Sequence, residues 1–500
     1  MDRRSLITVP VVLSTALALA GPAAAAGSVQ RPVTPDKTGP ASPYAASPTR
    51  HVAAAPSLPA SGSLPRVLAV QQIAEQSVRP QPGSQPDTQI EPDIAVDPNN
   101  ARIVVATFQQ GRFIDGASVD PGYAWSHDGG LTWHHRNLPK LTTAVGGPFD
   151  RASDPAVAFG PGGSVYISTL AFNTDNCINV IAVQRSDDGG ATFGRPVLEQ
   201  RTTTCSLFED KNWITVDTNP GSPHYGRIYA PWTRFKFDSR GNEVSSRQVL
   251  RFSDDRGRTW SPLVYISGSG THTEGAQPLV RPNGVLVDVY EQYTLHGNFE
   301  VAQTSRDGGR SFGAVHVISR QEGSGPPDIR DGELPSGTVD PKTGTLYVSW
   351  TDNRHRNDGQ GDILLSRSND GAVWTTPIRV NRDPVDSRID HFTPDVAAYG
   401  GQVYVSFRTR DNANGLSQYV GFRLAQSADA GRSFQRGQAL GPSTNLKYAA
   451  LAPVPFLGDY MGLAVNGRSI YAAWCVASRP AGDGRYHQTT WGAALRSSAS

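Results

Sequence analysis

One short string recurs six times along the chain and constrains its fold more than any other feature. Each copy begins with Ser, carries Asp two residues later, continues through Gly and ends on Trp or Phe. The Asp carboxylate and the Ser hydroxyl can hydrogen-bond backbone N–H groups of a tight turn, and Gly supplies a positive φ angle. The string therefore predicts one tight turn, repeated at residues 126–133, 186–193, 253–260, 305–312, 368–374 and 427–434.

A second pattern precedes each of these turns. It is a polar or acidic segment, which we call the leading segment, followed by a short apolar strand, a turn and an aromatic-rich strand. Alternation of apolar and polar residues between turn signals predicts strands rather than helices. Seven leading segments recur about 60 residues apart, which fits four strands per unit. Their acidic residues are Glu91, Asp93, Asp154, Asp210, Glu274, Asp331, Glu333, Asp395 and Asp459.

The seventh unit, at residues 462–495, carries no turn string and only three strands. A strand at residues 66–73 precedes the first leading segment and can supply the fourth. Pairing them would remove an unpaired edge from each. We therefore predict an all-β fold of seven units over residues 66–497, closed by this pair, with six units as the alternative.

The repeated turn string resembles the Asp-box of the sialidase-like β-propellers. The resemblance in repeat pattern covers nearly all of residues 66–497. It implies a β-propeller in which each unit is a blade and the innermost strands line a central channel. Functional residues would come from the leading segments and from the loops between second and third strands. The Asp-box turns would lie on the opposite face, so their Asp residues are expected to be structural.

The resemblance also implies a set of site residues. Sialidases use a Tyr nucleophile assisted by a Glu, an Asp acid/base and an arginine triad. The matching positions in this sequence are Tyr460, Glu274 and Asp115, with Asp120 as the alternative to Asp115. Substrate would be gripped by arginines at the ends of second strands, namely Arg354, Arg408 and Arg410. The sequence departs from the sialidase pattern at two places where that family carries an Arg. The first leading segment reads Glu-Pro-Asp at residues 91–93, and residues 288–293 contain no Arg.

These patterns favour a secreted propeller that acts on extracellular glycans, as an exo-glycosidase for a terminal sugar that can be acidic. A polysaccharide lyase is one alternative, with His391 or His272 as its base. A non-catalytic propeller that binds glycan or protein is the other. No motif specifies a cofactor, although the oxygen ligands of the leading segments leave Ca²⁺ as an option.

Charge and the N-terminal residues add a location. Lys and Arg number 46 against 45 Asp and Glu, so bulk charge attracts the chain to neither nucleic acid nor anionic lipid. Residues 1–26 read as a signal peptide, with a basic start, an apolar run and a small-residue cleavage site. Residues 27–65 are rich in Pro, Ala and Ser and are expected to form a disordered linker. We expect an extracellular monomer without a membrane span.

The three cysteines have separate predicted fates. Export permits oxidation, and Cys177 and Cys205 both fall on the face of the leading segments, so we predict a disulfide between them. Cys475 lies on an apolar strand of the last unit and should remain a buried thiol.

Overall fold

The computed structural model describes residues 63–323 and 325–498. This part of the chain is built from β-strands, with short 3₁₀ turns at Thr143–Val145, Pro161–Gly163 and Leu446–Tyr448. The predicted signal peptide and residues 27–62 of the predicted linker lie outside the described residues. No helix in the described ranges is both long and apolar enough to cross a membrane.

Short strands separated by turns follow one another along the whole described chain. The first half comprises β1 (Arg66–Gln72), β2 (Gln89–Val96), β3 (Val104–Arg112), β4 (Ser118–Ser126), β5 (His134–Asn137), β6 (Arg151–Phe159), β7 (Val165–Phe172), β8 (Asn179–Ser186), β9 (Val197–Thr202), β10 (Leu207–Asp210), β11 (Thr215–Val216), β12 (Ile228–Phe237), β13 (Glu243–Ser253), β14 (Val264–Tyr265), β15 (His272–Val280) and β16 (Leu286–Thr294). The second half comprises β17 (Gly297–Ser305), β18 (His316–Arg320), β19 (Ser336–Val339), β20 (Leu346–Asp352), β21 (Asp362–Ser368), β22 (Ile378–Arg379), β23 (Ile389–Tyr399), β24 (Gln402–Asp411), β25 (Tyr419–Ser427), β26 (Gln438–Ala439), β27 (Thr444–Asn445), β28 (Ala450–Ala452), β29 (Val454–Phe456), β30 (Gly462–Asn466), β31 (Ser469–Ala477) and β32 (Gln488–Arg496).

Pairing groups the strands into consecutive antiparallel meanders. The first runs β2-β3-β4-β5, the second β6-β7-β8-β9, and in the third β10 and β11 both pair with β12, followed by β13 and β14. The fourth is β15-β16-β17-β18, the fifth β19-β20-β21-β22 and the sixth β23-β24-β25-β26. The last is β30-β31-β32 with β1 as its outer strand. The all-β class predicted from the alternating pattern is therefore present.

The first strand of the described chain completes the last sheet. β1 runs antiparallel to β32, with pairs from Arg66–Arg496 to Gln72–Trp491. The Ser498 hydroxyl donates to the Ser63 carbonyl at 2.7 Å, so the described ends meet beside this pair. The pairing predicted from the missing fourth strand is confirmed.

The innermost strands form a ring. β2 contacts β6, β6 contacts β11, and the contacts continue through β15, β19, β23 and β30, which in turn contacts β2. Residues of these strands together line a cavity of about 310 Å³. The meanders are thus arranged around a central channel, and their leading segments converge at one of its ends.

The repeated turns are held by their own Ser and Asp side chains. In the first, the Ser126 hydroxyl donates to Asp128 at 2.8 Å, and Asp128 accepts from the backbone N–H and hydroxyl of Thr132 at 3.0 and 2.7 Å. Desolvation raises the pKa of Asp128, but these hydrogen bonds together outweigh it and lower the pKa to about 2. The Ser–Asp bond recurs at Asp188, Asp255, Asp307, Asp370 and Asp429. These carboxylates are therefore occupied within their turns.

Large side chains fill the space between neighbouring meanders. Phe422 stacks on Trp474 with ring centroids 4.3 Å apart, which joins the sixth meander to the last. The turn glycines allow close approach, since a Cβ at Gly190 would collide with Val105 of the preceding meander. Burial of this kind is the main stabilising contribution in such a ring.

The cysteines lie as the sequence predicted. Cys177 and Cys205 form a disulfide with their Cα atoms 4.9 Å apart, inside the range that a disulfide requires. Cys475 is a buried free thiol, and burial raises its pKa to about 12. A thiol in that state is a poor nucleophile, so Cys475 serves packing.

Candidate functional site

Leading segments of several meanders meet in one charged cavity, which we call the central crevice. Its volume is about 50 Å³. The charged residues that line it are Glu91, Arg112, Asp154, Asp210, Lys211, Glu274, Arg330 and Asp459. They come from the first, second, third, fourth and last meanders, together with Arg330 from the loop between β18 and β19.

The backbone of the leading segments is bent in a recurring way. Glu91, Asp154 and Lys211 have φ angles of 51°, 48° and 44°, and Gly275 has 78°. The strand register shifts at the same places in β2, β6 and β15, as expected for bulges. Bulges redirect side chains and cluster beside functional sites, and left-handed non-glycine residues cost energy that the surroundings must offset. These bulges direct charged side chains of different sheets toward one cavity.

An ion pair between Asp459 and Arg330 lies in the crevice. Arg330 donates to both Asp459 oxygens, at 2.8 Å from Nη2 and 3.3 Å from Nε. Close backbone approach makes this possible, since a Cβ at Gly332 would lie 2.6 Å from the Asp459 Cβ. Burial raises the pKa of Asp459, but the charges of Arg330, Arg112 and Lys211 outweigh burial and lower it. Asp459 is consequently ionised at neutral pH.

The pKa of Glu274 is shifted in the opposite direction. Burial, aided by the negative charge of Asp459, raises its pKa to about 7, although Arg330 and Lys211 lower it in part. Two carboxyl groups of one crevice therefore have pKa values on opposite sides of the ordinary value. Environments that separate two pKa values in this manner are how enzymes obtain an acid and a base from the same residue type.

Two further carboxyl groups are buried among polar partners. Glu91 accepts from the Asp459 backbone N–H at 3.3 Å and from the Gln109 amide. Burial and the charges of Asp154 and Asp459 raise the pKa of Glu91 well above its ordinary value. Burial and Asp154 likewise raise the pKa of Asp210. The raised pKa values reduce the negative charge that Glu91 and Asp210 contribute to the crevice.

Tyr460 and Glu274 are both near the crevice, but no hydrogen bond joins them. The Tyr460 hydroxyl donates to the Pro155 carbonyl at 3.1 Å, and its ring is covered by Lys211 Nζ at 3.9 Å from the centroid. Trp213 packs edge-on against the ring at 5.3 Å. Burial and surrounding carboxylates raise the pKa of Tyr460 well above its usual value. The Tyr460 phenol is therefore held neutral, and its one hydroxyl proton is donated to the Pro155 carbonyl.

The predicted acid/base Asp115 lies outside the central crevice. Its side chain is 49% exposed and pairs with Arg151 at 2.8 Å. The alternative, Asp120, is buried and accepts from the Thr142 hydroxyl at 2.7 Å. Neither residue lines the cavity.

Each of the three predicted substrate-binding arginines hydrogen-bonds to partners within the protein. Arg354 donates to Asp352 at 2.8 Å. Arg408 is buried and donates to the Gly458 carbonyl at 2.8 Å, while Arg410 grips both oxygens of Asp328 at 2.6 and 2.9 Å. None of these three arginines lines the central crevice, where Arg112 and Arg330 are found.

The two predicted lyase bases also lie elsewhere. His272 Nδ1 is 2.7 Å from Glu243, and both side chains are partly exposed. His391 Nε2 is 2.7 Å from Asp383, in a different cavity.

Sequence reasoning placed Glu274 and Asp459 among the leading segments but missed Lys211 and Arg330 as site residues. Lys211 did carry a signal, because it is one of only six lysines and stands inside a leading segment. Arg330 carried none, since it reaches the crevice through a loop whose backbone N–H bonds the Pro455 carbonyl at 2.9 Å.

The Ca²⁺ option finds no site in the described ranges. Within residues 63–323 and 325–498, no three His, Cys, Asp or Glu side chains are grouped so as to hold a metal ion. Arg112, Lys211 and Arg330 are the cations that lie among the crevice carboxylates.

Comparison with known proteins gives matches among solved structures alone. No family model matches the chain, and no curated protein matches it. A Hadza microbial sialidase is 18% identical, with 71% of this chain and 66% of that one covered and a TM-score of 0.46. The leech intramolecular trans-sialidase is 12% identical, with coverage of 76% and 70% and a TM-score of 0.46. The α-L-arabinofuranosidase of Fusarium graminearum is 14% identical, with coverage of 68% and 92% and a TM-score of 0.43. Function must therefore be argued from this chain's own residues.

Proposed function

We propose that the protein is a secreted, seven-bladed β-propeller with Asp-box turns that hydrolyses a terminal sugar of extracellular glycans. Glu274 is the general acid and Asp459 is the nucleophile or general base. The supporting observation is the pair of opposed pKa shifts in one crevice, with the pKa of Glu274 raised to about 7 and that of Asp459 lowered. Glycosidases of the common type need one protonated and one ionised carboxyl group flanking the scissile bond.

The proposed step uses these two groups only. Glu274 donates its proton to the glycosidic oxygen as the bond from that oxygen to the anomeric carbon breaks. Asp459 either attacks the anomeric carbon or takes a proton from an attacking water. Arg330 keeps Asp459 ionised and fixed through its two hydrogen bonds.

The charge balance favours an acidic sugar. The raised pKa values of Glu91, Asp210 and Glu274 reduce the negative charge that these carboxyl groups set against Arg112, Lys211 and Arg330. These three basic side chains would attract a sugar carboxylate. A volume of about 50 Å³ admits only the end of a glycan, which fits action on the terminal unit.

A non-catalytic glycan-binding propeller is the second candidate. It is favoured by the small crevice and by Tyr460, whose hydroxyl is already bonded to Pro155. The lyase alternative has less support because His391 and His272 lie outside the central crevice.

The test is hydrolysis of a panel of fluorogenic glycosides that includes sialic acid, glucuronic acid and arabinofuranose. We expect release of an acidic sugar, with kcat/KM falling above about pH 7 as Glu274 ionises. Glu274→Gln and Asp459→Asn should each lower kcat/KM by about 10²- to 10⁴-fold. Asp175→Asn, which changes an exposed carboxylate in the β7–β8 loop, is the matched control.

The outcomes separate the two candidates. If no glycoside is cleaved but the protein binds glycans on an array, the non-catalytic candidate replaces the hydrolase. If an active protein tolerates Glu274→Gln, the assignment of the general acid is wrong. The anomer released first, followed by NMR, distinguishes a nucleophilic Asp459 from one that acts on water.

A further inference from the structure

A second and larger cavity lies on the side of the sixth meander, which we call the lateral crevice. Its volume is about 290 Å³, against about 50 Å³ for the central crevice. It is bounded by residues of β23, β24 and β25 and by residues 381–383 and 436–443. It shares no lining residue with the central crevice. Its size approaches that of ordinary small-molecule sites, which begin near about 300 Å³.

A fixed histidine forms part of its wall. His391 is 3% exposed, and its Nε2 is 2.7 Å from an oxygen of Asp383. Asp383 is itself held by Asn381 at 3.0 Å and Ser387 at 2.9 Å. Because Nε2 bonds a carboxylate, Nε2 carries the proton and the ring orientation is set. In the described part of the chain, buried Nδ1 has no hydrogen-bond partner, so this atom remains for a ligand.

The charges of the wall favour an anion. Arg382, Arg423 and Arg436 line the cavity with two carboxylates, Asp383 and Asp411. The negative charge of Asp383 is already opposed by Arg356 and Arg379, which lie 3.5 and 3.3 Å from it. Arg423 donates to the Gly437 carbonyl at 2.8 Å. Arg436 is exposed and forms no ion pair with any residue of the described ranges. A planar guanidinium with free donors is well suited to a carboxylate.

The remaining surface fits a sugar ring. Tyr419 is 57% exposed at the cavity. An exposed aromatic face offers apolar contact to the C–H face of a sugar while its hydroxyl stays hydrated. Hydroxyl groups of Thr409, Ser417 and Ser443 lie on the same lining.

We propose that the lateral crevice is a second carbohydrate-binding site that takes one sugar unit bearing a carboxylate. The carboxylate is bound by Arg436 and Arg423, the sugar face lies on Tyr419, and His391 Nδ1 bonds a sugar hydroxyl. This site does not depend on the proposed hydrolysis, because it shares no residue with the central crevice. It would hold an acidic glycan on the protein whether or not the central crevice cleaves it.

The test is isothermal titration calorimetry of the protein without residues 1–26, using D-glucuronate and D-glucose as probes. We expect glucuronate to bind at least about tenfold more tightly than glucose, as one charge-assisted bond implies. Arg436→Gln should raise the Kd for glucuronate about tenfold, and Tyr419→Ala should raise it several-fold. Both residues are exposed, so the fold should tolerate the changes, and far-ultraviolet circular dichroism checks this.

Arg306→Gln is the matched control, since Arg306 is an exposed arginine that does not line the lateral crevice. Equal affinity for the two sugars would overturn the proposal, as would an Arg436→Gln effect no larger than that of Arg306→Gln. Binding that is lost in Glu274→Gln but kept in Arg436→Gln would place the sugar in the central crevice and also overturn it. A protein that cleaves no glycoside but shows the expected affinities would leave this site standing and the proposed hydrolysis rejected.

Discussion

Tyr460 shows how strongly the surroundings of one side chain determine what it can do. A phenol becomes a nucleophile only when a base accepts its proton, and the acceptor in this crevice is the Pro155 carbonyl, which cannot take it. The carboxylates near Tyr460 raise its pKa further rather than activate it. Lys211, stacked on its ring at 3.9 Å, makes the residue part of a buried cation–π contact.

Substitution of this residue tests the difference. Tyr460→Phe removes one hydrogen bond and keeps the ring, so we expect a loss of about 0.5–1.5 kcal/mol in the free energy of unfolding. Turnover on the best glycoside should stay within a few-fold of the wild-type value. Urea denaturation and steady-state kinetics measure both quantities, with Tyr123→Phe as the control for a buried tyrosine bonded to a backbone carbonyl. A loss of turnover by orders of magnitude would restore Tyr460 as the nucleophile.

For single residues, the sequence predicts where a residue lies in the fold better than it predicts which groups that residue contacts. The acidic leading segments identified Glu274 and Asp459 because their place in the repeat fixes their place in the ring. Arg408 was expected to bind substrate, but the Gly458 carbonyl occupies it. Arg330 was missed because its position depends on a contact between the β18–β19 loop, which carries it, and the segment that precedes β30. Contacts of that kind depend on the assembled fold and leave no local pattern.

Among the strands, β1 shows how an element can be ordered by its pairing partner, because few of its own residues are buried. It belongs to the outer edge of the last sheet, and most of its residues are at least partly exposed. Its order comes from the backbone ladder with β32 and from Val70, which packs against the core that contains Trp474. The sequence predicted this pairing by counting strands, since a unit of three strands and an unassigned strand complete each other.

Truncation tests the contribution of β1. Deleting residues 66–74 should expose the edge of β32 and uncover part of that core, so we expect a lower Tm and a broader transition in calorimetry. Deleting residues 27–60 should leave the Tm unchanged, because the sequence assigns that segment no strand. Identical melting of the two truncated proteins would show that β1 contributes little.

Across the whole molecule, two sets of carboxyl groups have pKa values that are shifted in opposite directions. Burial raises the pKa of Asp93 and Glu274 to about 7 and that of Asp395 to about 8. A raised pKa means that the folded state binds more protons, so this contribution to stability is present below about pH 4 and is lost as pH rises toward 8. In the repeated turns, hydrogen bonds outweigh desolvation and lower the pKa of Asp128, Asp255 and Asp307 to about 2, so their contribution is lost as pH falls below about 4.

The two groups together predict a maximum of stability on the acidic side of neutrality. We expect the Tm to be highest near about pH 5 and to fall by pH 8 as the buried acids ionise. Asp395→Asn should reduce that fall, because the amide cannot ionise, whereas Asp175→Asn should not change it. Calorimetric scans from about pH 3 to about pH 9 measure the profile. A Tm that rises steadily to pH 8 would contradict the predicted sign.

The β1–β32 pair also has a consequence for biosynthesis. The first strand of the ring is made early, yet its partner is completed only after almost all the rest of the ring. Throughout synthesis β1 therefore has no neighbour, and a chain that stops early never provides one. Unpaired strands of this kind aggregate or are degraded. Truncated products therefore cannot complete the last sheet. Only a polypeptide that extends through β32 can cover the exposed edges of both β1 and β32.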